Sequence, residues 1–234
     1  MESVSQVLQA AGVFVVGLLA RGGLVLAVLA LLALPVLLAA GLLGAVESVR
    51  RRRLGLRDVG GLLFRPGLWY APTHTWLARR PGGSVVVGLD DLAQRLMPSV
   101  TGVELPRPGT PVRRGEPLVT VFAGARTLTV PSPLTGTLRS QNHAVLRDPG
   151  LVKREPYGRG WLVCVEPSDG AWASLPRGEA AEQFLRSESA RWNRFVEEQL
   201  GFGTADGGHL VAPAPELVGE AGWRRLAEVF AGAI

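Results

Sequence analysis

Between Gly22 and Val46 the chain carries no charged residue, and Leu24 to Leu34 is almost entirely Leu, Ala and Val. Such a run exceeds the about 20 residues that a helix needs to cross a bilayer. Residues 22–49 are therefore expected to form one transmembrane helix, with Pro35 tolerated as a mild kink. The apolar stretch Val7–Ala20 is shorter and is separated by Arg21. Segment 1–21 either extends the same helix past the membrane surface or lies in the interface. Arg50, Arg51, Arg52 and Arg53 follow directly. The positive-inside bias puts them in the cytoplasm and the N-terminus outside. A signal peptide is the competing reading. It fails on the length of the run and on arginines placed after the apolar stretch rather than before it.

Beyond the basic block the pattern changes. Residues 50–68 are punctuated by Gly55, Gly60, Gly61, Pro66 and Gly67 and are expected to be a juxtamembrane linker. From Trp69 the apolar runs become short, and Gly or Pro bounds each one. Strands are predicted at Trp76–Arg79, Ser84–Val87, Gly102–Leu105, Leu118–Phe122, Thr127–Val130, Gly136–Ser140 and Trp161–Glu166. Ala123-Gly124-Ala125-Arg126 reads as a hairpin tip, its glycine supplying the φ freedom such a link needs. Asp90–Leu96 reads as a short helix. The 69–170 region is thus a small, mainly β sandwich. Residues 171–234 form a helical extension. Its first helix, Ala180–Leu200, has Phe184, Leu185, Trp192, Phe195, Val196 and Leu200 at helical spacing. The second, Leu217–Phe230, has Trp223, Leu226, Val229 and Phe230 as its apolar face. These two helices, with Trp192 and Trp223, either pack back on the sandwich or dock a partner.

Composition narrows the function classes. The net charge of +5 over 234 residues is concentrated beside the apolar segment, so membrane topology explains it better than nucleic-acid binding. A single cysteine, Cys164, excludes an internal disulfide framework and a cysteine metal cluster. His74, His143 and His209 are scattered, with no second ligand at metal-binding spacing, so no metal site is expected. Asp90-Asp91 suits a helix N-terminus better than acid/base work. No nucleophile elbow, phosphate loop or dinucleotide fingerprint is present, and no enzymatic activity is expected.

Around the tip, Gly109-Thr110-Pro111-Val112-Arg113-Arg114-Gly115-Glu116-Pro117-Leu118 forms a glycine-bounded turn, and Ser132-Pro133-Leu134-Thr135-Gly136 follows the hairpin. Turn, hairpin and S-P-x-x-G in that order resemble a lipoyl domain. Tyr70, His74 and Trp76, Val87 to Gln94, Val103 to Pro106, and Asp148 to Val152 with Pro156 to Leu162 resemble the flanking motifs of the glycine cleavage system H protein. The resemblance spans Tyr70 to Asp169. It implies a barrel-sandwich hybrid, a flattened β-barrel, and a lipoyl group carried on a lysine at the hairpin tip.

The tip departs from that pattern. Aligned without a gap on Ser132-Pro133, the family's lipoyl lysine falls on Ala125 and its glutamate on Phe122, with Arg126 next. A guanidinium is no substitute for the primary amine the lipoyl amide requires. The only lysine of the chain is Lys153, in the closing motif. No cofactor is therefore expected. Phe122, Gly124 and Arg126 become candidate partner contacts, together with Trp192 and Trp223; the plain alternative for Arg126 is a solvated side chain. The expected function is that of a non-catalytic, membrane-tethered subunit. It would scaffold or recruit a cytoplasmic protein complex, with the lipid bilayer as its other partner. The alternatives are a lipoyl carrier of the glycine cleavage system, modified on Lys153, and a membrane-fusion adaptor of an export system. The adaptor would need a long coiled coil between its lipoyl-like halves and a periplasmic domain. The short tip and the arginine block oppose both.

Overall fold

The computed structural model describes residues 29, 31–46, 49, 54–200 and 219–231. The chain divides into two units, Met1–Arg53 and Leu54–Ile234. In the first, residues 31–46 (α1) are helical and every one is exposed. Among the described residues no helix is long and apolar enough to cross a membrane. The ends of the expected spanning segment, the arginine block 50–53 and all of segment 1–21 lie outside the described residues.

The second unit begins with a correction. The glycine-rich stretch read as a linker is a hairpin, β1 (Arg57–Val59) and β2 (Leu62–Phe64). Gly60 and Gly61 both have positive φ, 59° and 84°, so the two-residue link is a primed turn that suits strand twist. Val59, Leu62 and Phe64 are buried. The punctuation was real, but it marked a tight turn and not an unstructured connection.

The β-domain consists of two larger antiparallel sheets. One has six strands in the order β3 (Trp69–Tyr70), β4 (Thr75–Arg79), β5 (Val85–Leu89), β11 (Val163–Pro167), β10 (Gly136–Gln141), β7 (Pro111–Val112). The other has three, in the order β6 (Gly102–Glu104), β8 (Pro117–Ala123), β9 (Arg126–Pro131). Each predicted strand is present to within a residue or two. β5 is buried along its whole length, whereas β9 buries alternate positions and β8 does so from Val119 onward. Gly88 of β5 lies opposite Trp76 of β4. A Cβ at Gly88 would sit 2.5 Å from the indole ring, so the glycine makes room for the tryptophan. Cys164 is buried in β11, as core filler should be.

Helices are few within the β-domain. α2 (Asp91–Arg95) is capped by Asp90, whose Oδ1 accepts from the amides of Leu92 and Ala93 at 3.0 Å each. α3 (His143–Arg147) and α4 (Leu151–Arg154) occupy a stretch without a predicted element. After a 3₁₀ turn at Ala171–Ser174 comes α5 (Glu179–Leu200), then α6 (Glu220–Ala231). On α5 the buried positions are Ala181, Leu185, Ser189, Trp192 and Val196, one stripe at helical spacing. On α6 they are Trp223, Leu226, Ala227 and Phe230, while Val229 is exposed. The face is rotated from the predicted one by the burial of a small residue in place of Val229. Both helices belong to the same core as the sheets.

Candidate functional site

The β8–β9 tip is a two-residue turn closed by the Ala123–Arg126 pair. Gly124 has φ 62°, which a glycine adopts without strain. Thr101 braces it. The Gly124 amide donates to Thr101 Oγ1 at 3.2 Å, and the Thr101 amide donates to Phe122 O at 2.8 Å. Gly124 and Ala125 are exposed, and Phe122 is half-buried.

Arg126 is neither solvated nor presented outward. Its side chain is 17% exposed, its Nε lies 3.6 Å from Glu220 Oε2, and its Cζ sits 5.6 Å from the Trp223 ring centre. Trp223 donates from Nε1 to Leu96 O at 2.9 Å. The start of α6 is thus fastened to the base of the tip by one ion pair, one cation–π contact and one buried hydrogen bond. Trp192 is fully buried, with its ring 5.1 Å from Phe230. Trp192 and Trp223, candidate partner contacts by sequence, are core residues. Of those candidates only Gly124 remains exposed.

A second cluster escaped the sequence reading. His74 is 1% exposed and lies between two carboxylates. Its Nδ1 is 3.0 Å from Asp90 Oδ2, and its Nε2 is 3.5 Å from Glu188 Oε2. Phe184 stacks on the ring at 6.2 Å. Burial alone would lower the imidazole pKa, but the charges and hydrogen bonds of Asp90 and Glu188 outweigh it and raise it to about 9. The ring is therefore an imidazolium with both N–H groups engaged. It can neither accept a proton nor hold a metal. Glu188 is held ionised: burial opposes the charge, but His74 and Arg191 more than offset that and lower its pKa. His74 also has φ 54°, rare for a residue with a side chain. Its carbonyl accepts from the Asp90 amide at 3.0 Å. The cluster clamps the β3–β4 turn, the α2 cap and α5 together. One sign was in the sequence: Glu188 falls four residues from both Phe184 and Trp192 on an apolar helix face.

Lys153, on α4, is half-buried. Its Nζ donates to Met97 O and, at 3.2 Å, to Pro98 O. Burial lowers its pKa. His143 caps no ligand set and starts α3, and His209 lies outside the described residues. Among the described residues no cluster of His, Cys, Asp and Glu could hold a metal ion.

Comparison with known proteins matches residues 68–188 to the family described as Glycine cleavage H-protein. The probable glycine cleavage system H protein of Aeropyrum pernix is 34% identical over 137 residues, covering 57% of this chain and 93% of its own. The glycine cleavage system H protein of Myxococcus xanthus is 40% identical over 105 residues, covering 44% of this chain and 81% of its own. The crystal structure of a glycine cleavage system H protein from Mycobacterium marinum aligns at 26% identity and a TM-score of 0.47, over 53% of this chain and 99% of that one. The family match takes in His74, Asp90 and Glu188 and stops before Trp192 and α6.

Proposed function

This chain belongs to the glycine cleavage H-protein family, and from that premise we propose that it is an H-like subunit that scaffolds or recruits a partner complex without itself carrying lipoate. Family members are not enzymes, and they work with protein partners of the glycine cleavage complex. The observation that carries the proposal is the tip. Where the resemblance puts the lipoyl lysine the chain has Ala125, and the neighbouring Arg126 is engaged by Glu220 and Trp223. Its only lysine donates to two backbone carbonyls. The uncharged apolar run 22–46 and the arginines that follow support a tether in the cytoplasmic membrane, with the N-terminus outside and the β-domain in the cytoplasm.

The family match itself favours a second reading, a lipoyl carrier that passes an aminomethyl group, and it supports that reading more directly than the first. Both relatives named above bear the H-protein name. On this reading Lys153 is the modified residue, and its side chain has to leave the Met97 and Pro98 carbonyls.

Purification from the native membrane in mild detergent, with mass spectrometry of the intact chain and of its companions, separates the two. An unmodified chain with stoichiometric partners is expected. A lipoyl-bearing peptide containing Lys153 establishes the carrier. Reporter fusions at the C-terminus test the topology, and activity confined to the outside of the cytoplasm overturns it.

A further inference from the structure

At the β3 edge of the six-stranded sheet a cleft of about 570 Å³ opens between the β4–β5 turn and the segment joining the 3₁₀ turn to α5. Arg79, Arg80, Arg177, Trp69, Trp172 and Pro81 are among its lining residues, and no carboxylate is. None of the three arginines forms an ion pair among the described residues. Two of them are held by rings instead. Arg177 Cζ lies 4.1 Å over Trp69, which meets Trp172 edge-on at 5.0 Å. Arg80 Cζ lies 4.9 Å over Trp161. The backbone fixes their roots. Trp69 and Arg177 form an isolated bridge, Tyr70 donates to Pro176 O at 2.9 Å, and Arg80 donates to Ser84 O at 2.8 Å.

A guanidinium stacked on its face keeps its in-plane N–H edge unspent. With Arg79, which stacks on no ring among the described residues, the cleft is lined by three cations that repel one another, and a bound anion relieves that repulsion. One arginine satisfies a carboxylate with a bidentate pair, whereas a phosphate dianion has oxygens for three. The volume falls in the range of small organic ligands, roughly 300–1,000 Å³, so there is room beyond the phosphate itself. We propose that this cleft binds a phosphate monoester, its phosphate among Arg79, Arg80 and Arg177 and its organic part along Trp172 and Pro81. The same chemistry is offered by a lipid headgroup such as phosphatidic acid and by a soluble phosphorylated small molecule.

The test uses the full chain in two arms. In neutral detergent, sodium phosphate is titrated against sodium chloride at constant ionic strength, with tryptophan fluorescence as readout. In nanodiscs of phosphatidylcholine with or without phosphatidic acid, hydrogen exchange is followed over residues 79–81 and 172–177. A saturable response is expected in at least one arm, weakened about tenfold or more by Arg80→Gln with Arg177→Gln. If that double variant melts abnormally, Arg79→Gln, which is exposed and stacks on no ring among the described residues, supplies the same comparison. A response in the detergent arm alone assigns a soluble phosphate monoester, and one in the nanodisc arm alone assigns the lipid. No saturable response in either arm, or one that the variants leave unchanged, overturns the proposal.

Discussion

At the scale of single residues, His74 carries the largest electrostatic stake. Its folded pKa of about 9 lies above the ordinary 6.5, so the folded state binds the proton more tightly. The corresponding stability is fully present below pH about 6.5 and is lost as pH rises through about 9. Glu188 acts in the opposite sense: its folded pKa is lowered, so its share is present above the ordinary carboxylate range and fades on acidification. Removing the ring strands two carboxylates, one of them fully buried. His74→Gln should therefore cost about 3 kcal/mol near neutrality. Denaturant titrations of both proteins from pH 6 to pH 10 check this. The gap between wild type and variant should narrow towards pH 10, and a constant gap would mean that packing, not charge, is what the histidine supplies. Arg126 is different in kind. Its partner Glu220 is 56% exposed, and such pairs contribute less than about 1 kcal/mol. Arg126→Ala should leave the melting temperature almost unchanged yet speed hydrogen exchange in the first turn of α6.

Among elements, the telling contact is α5 on the β1–β2 hairpin. Ser189 Oγ donates to Gly60 O at 2.5 Å, and a Cβ at Gly60 would lie 2.8 Å from Ser189 Oγ. Gly60→Ala combines a left-handed backbone with this close approach. It should destabilise by about 1–2 kcal/mol, read by thermal melting. A Ser189→Ala background should relieve the larger steric part, the clash with Oγ, and leave the backbone part with a 3.1 Å approach to the residue 189 Cβ. A change identical in both backgrounds would show that α5 does not press on the turn. Trp223 holds α6 in a comparable way. Trp223→Ala should cost about 3 kcal/mol, because it empties a buried site and unpairs Leu96 O. Limited proteolysis should then cut ahead of α6 first.

On the scale of the whole molecule, the tail beyond the family match is part of the core. Trp192, Trp223, Leu226 and Phe230 share one apolar cluster with the strands, and Phe195 meets Phe230 edge-on at 5.7 Å. Ending the chain before Gly219 should lower the melting temperature and expose surface that binds a polarity-sensitive dye. A truncated chain that melts like the full one would make α6 a detachable arm available to partners.

What could be read from the residues alone follows from local physics. Alternating apolar positions and turn glycines located seven of the eleven strands among the described residues to within a residue or two, missing β1, β2, β3 and β7, and helical spacing located α5 and α6, because these signals depend on neighbours in sequence. The absence of a lysine at the tip is likewise a fact of sequence, independent of geometry. Three things needed the folded chain. Gly60-Gly61 looks the same in a linker and in a primed turn until Val59 and Leu62 have a core to enter. Arg126 and Trp223 are candidate surface contacts until α6 returns to the β-domain and joins them. Asp90 can be read as a helix cap, but its second partner, His74, and the closing charge on Glu188 come together only when α5 crosses the β3–β4 turn. Pairings across such sequence separations leave no periodic trace in the chain, so burial and charge there were decided by tertiary packing.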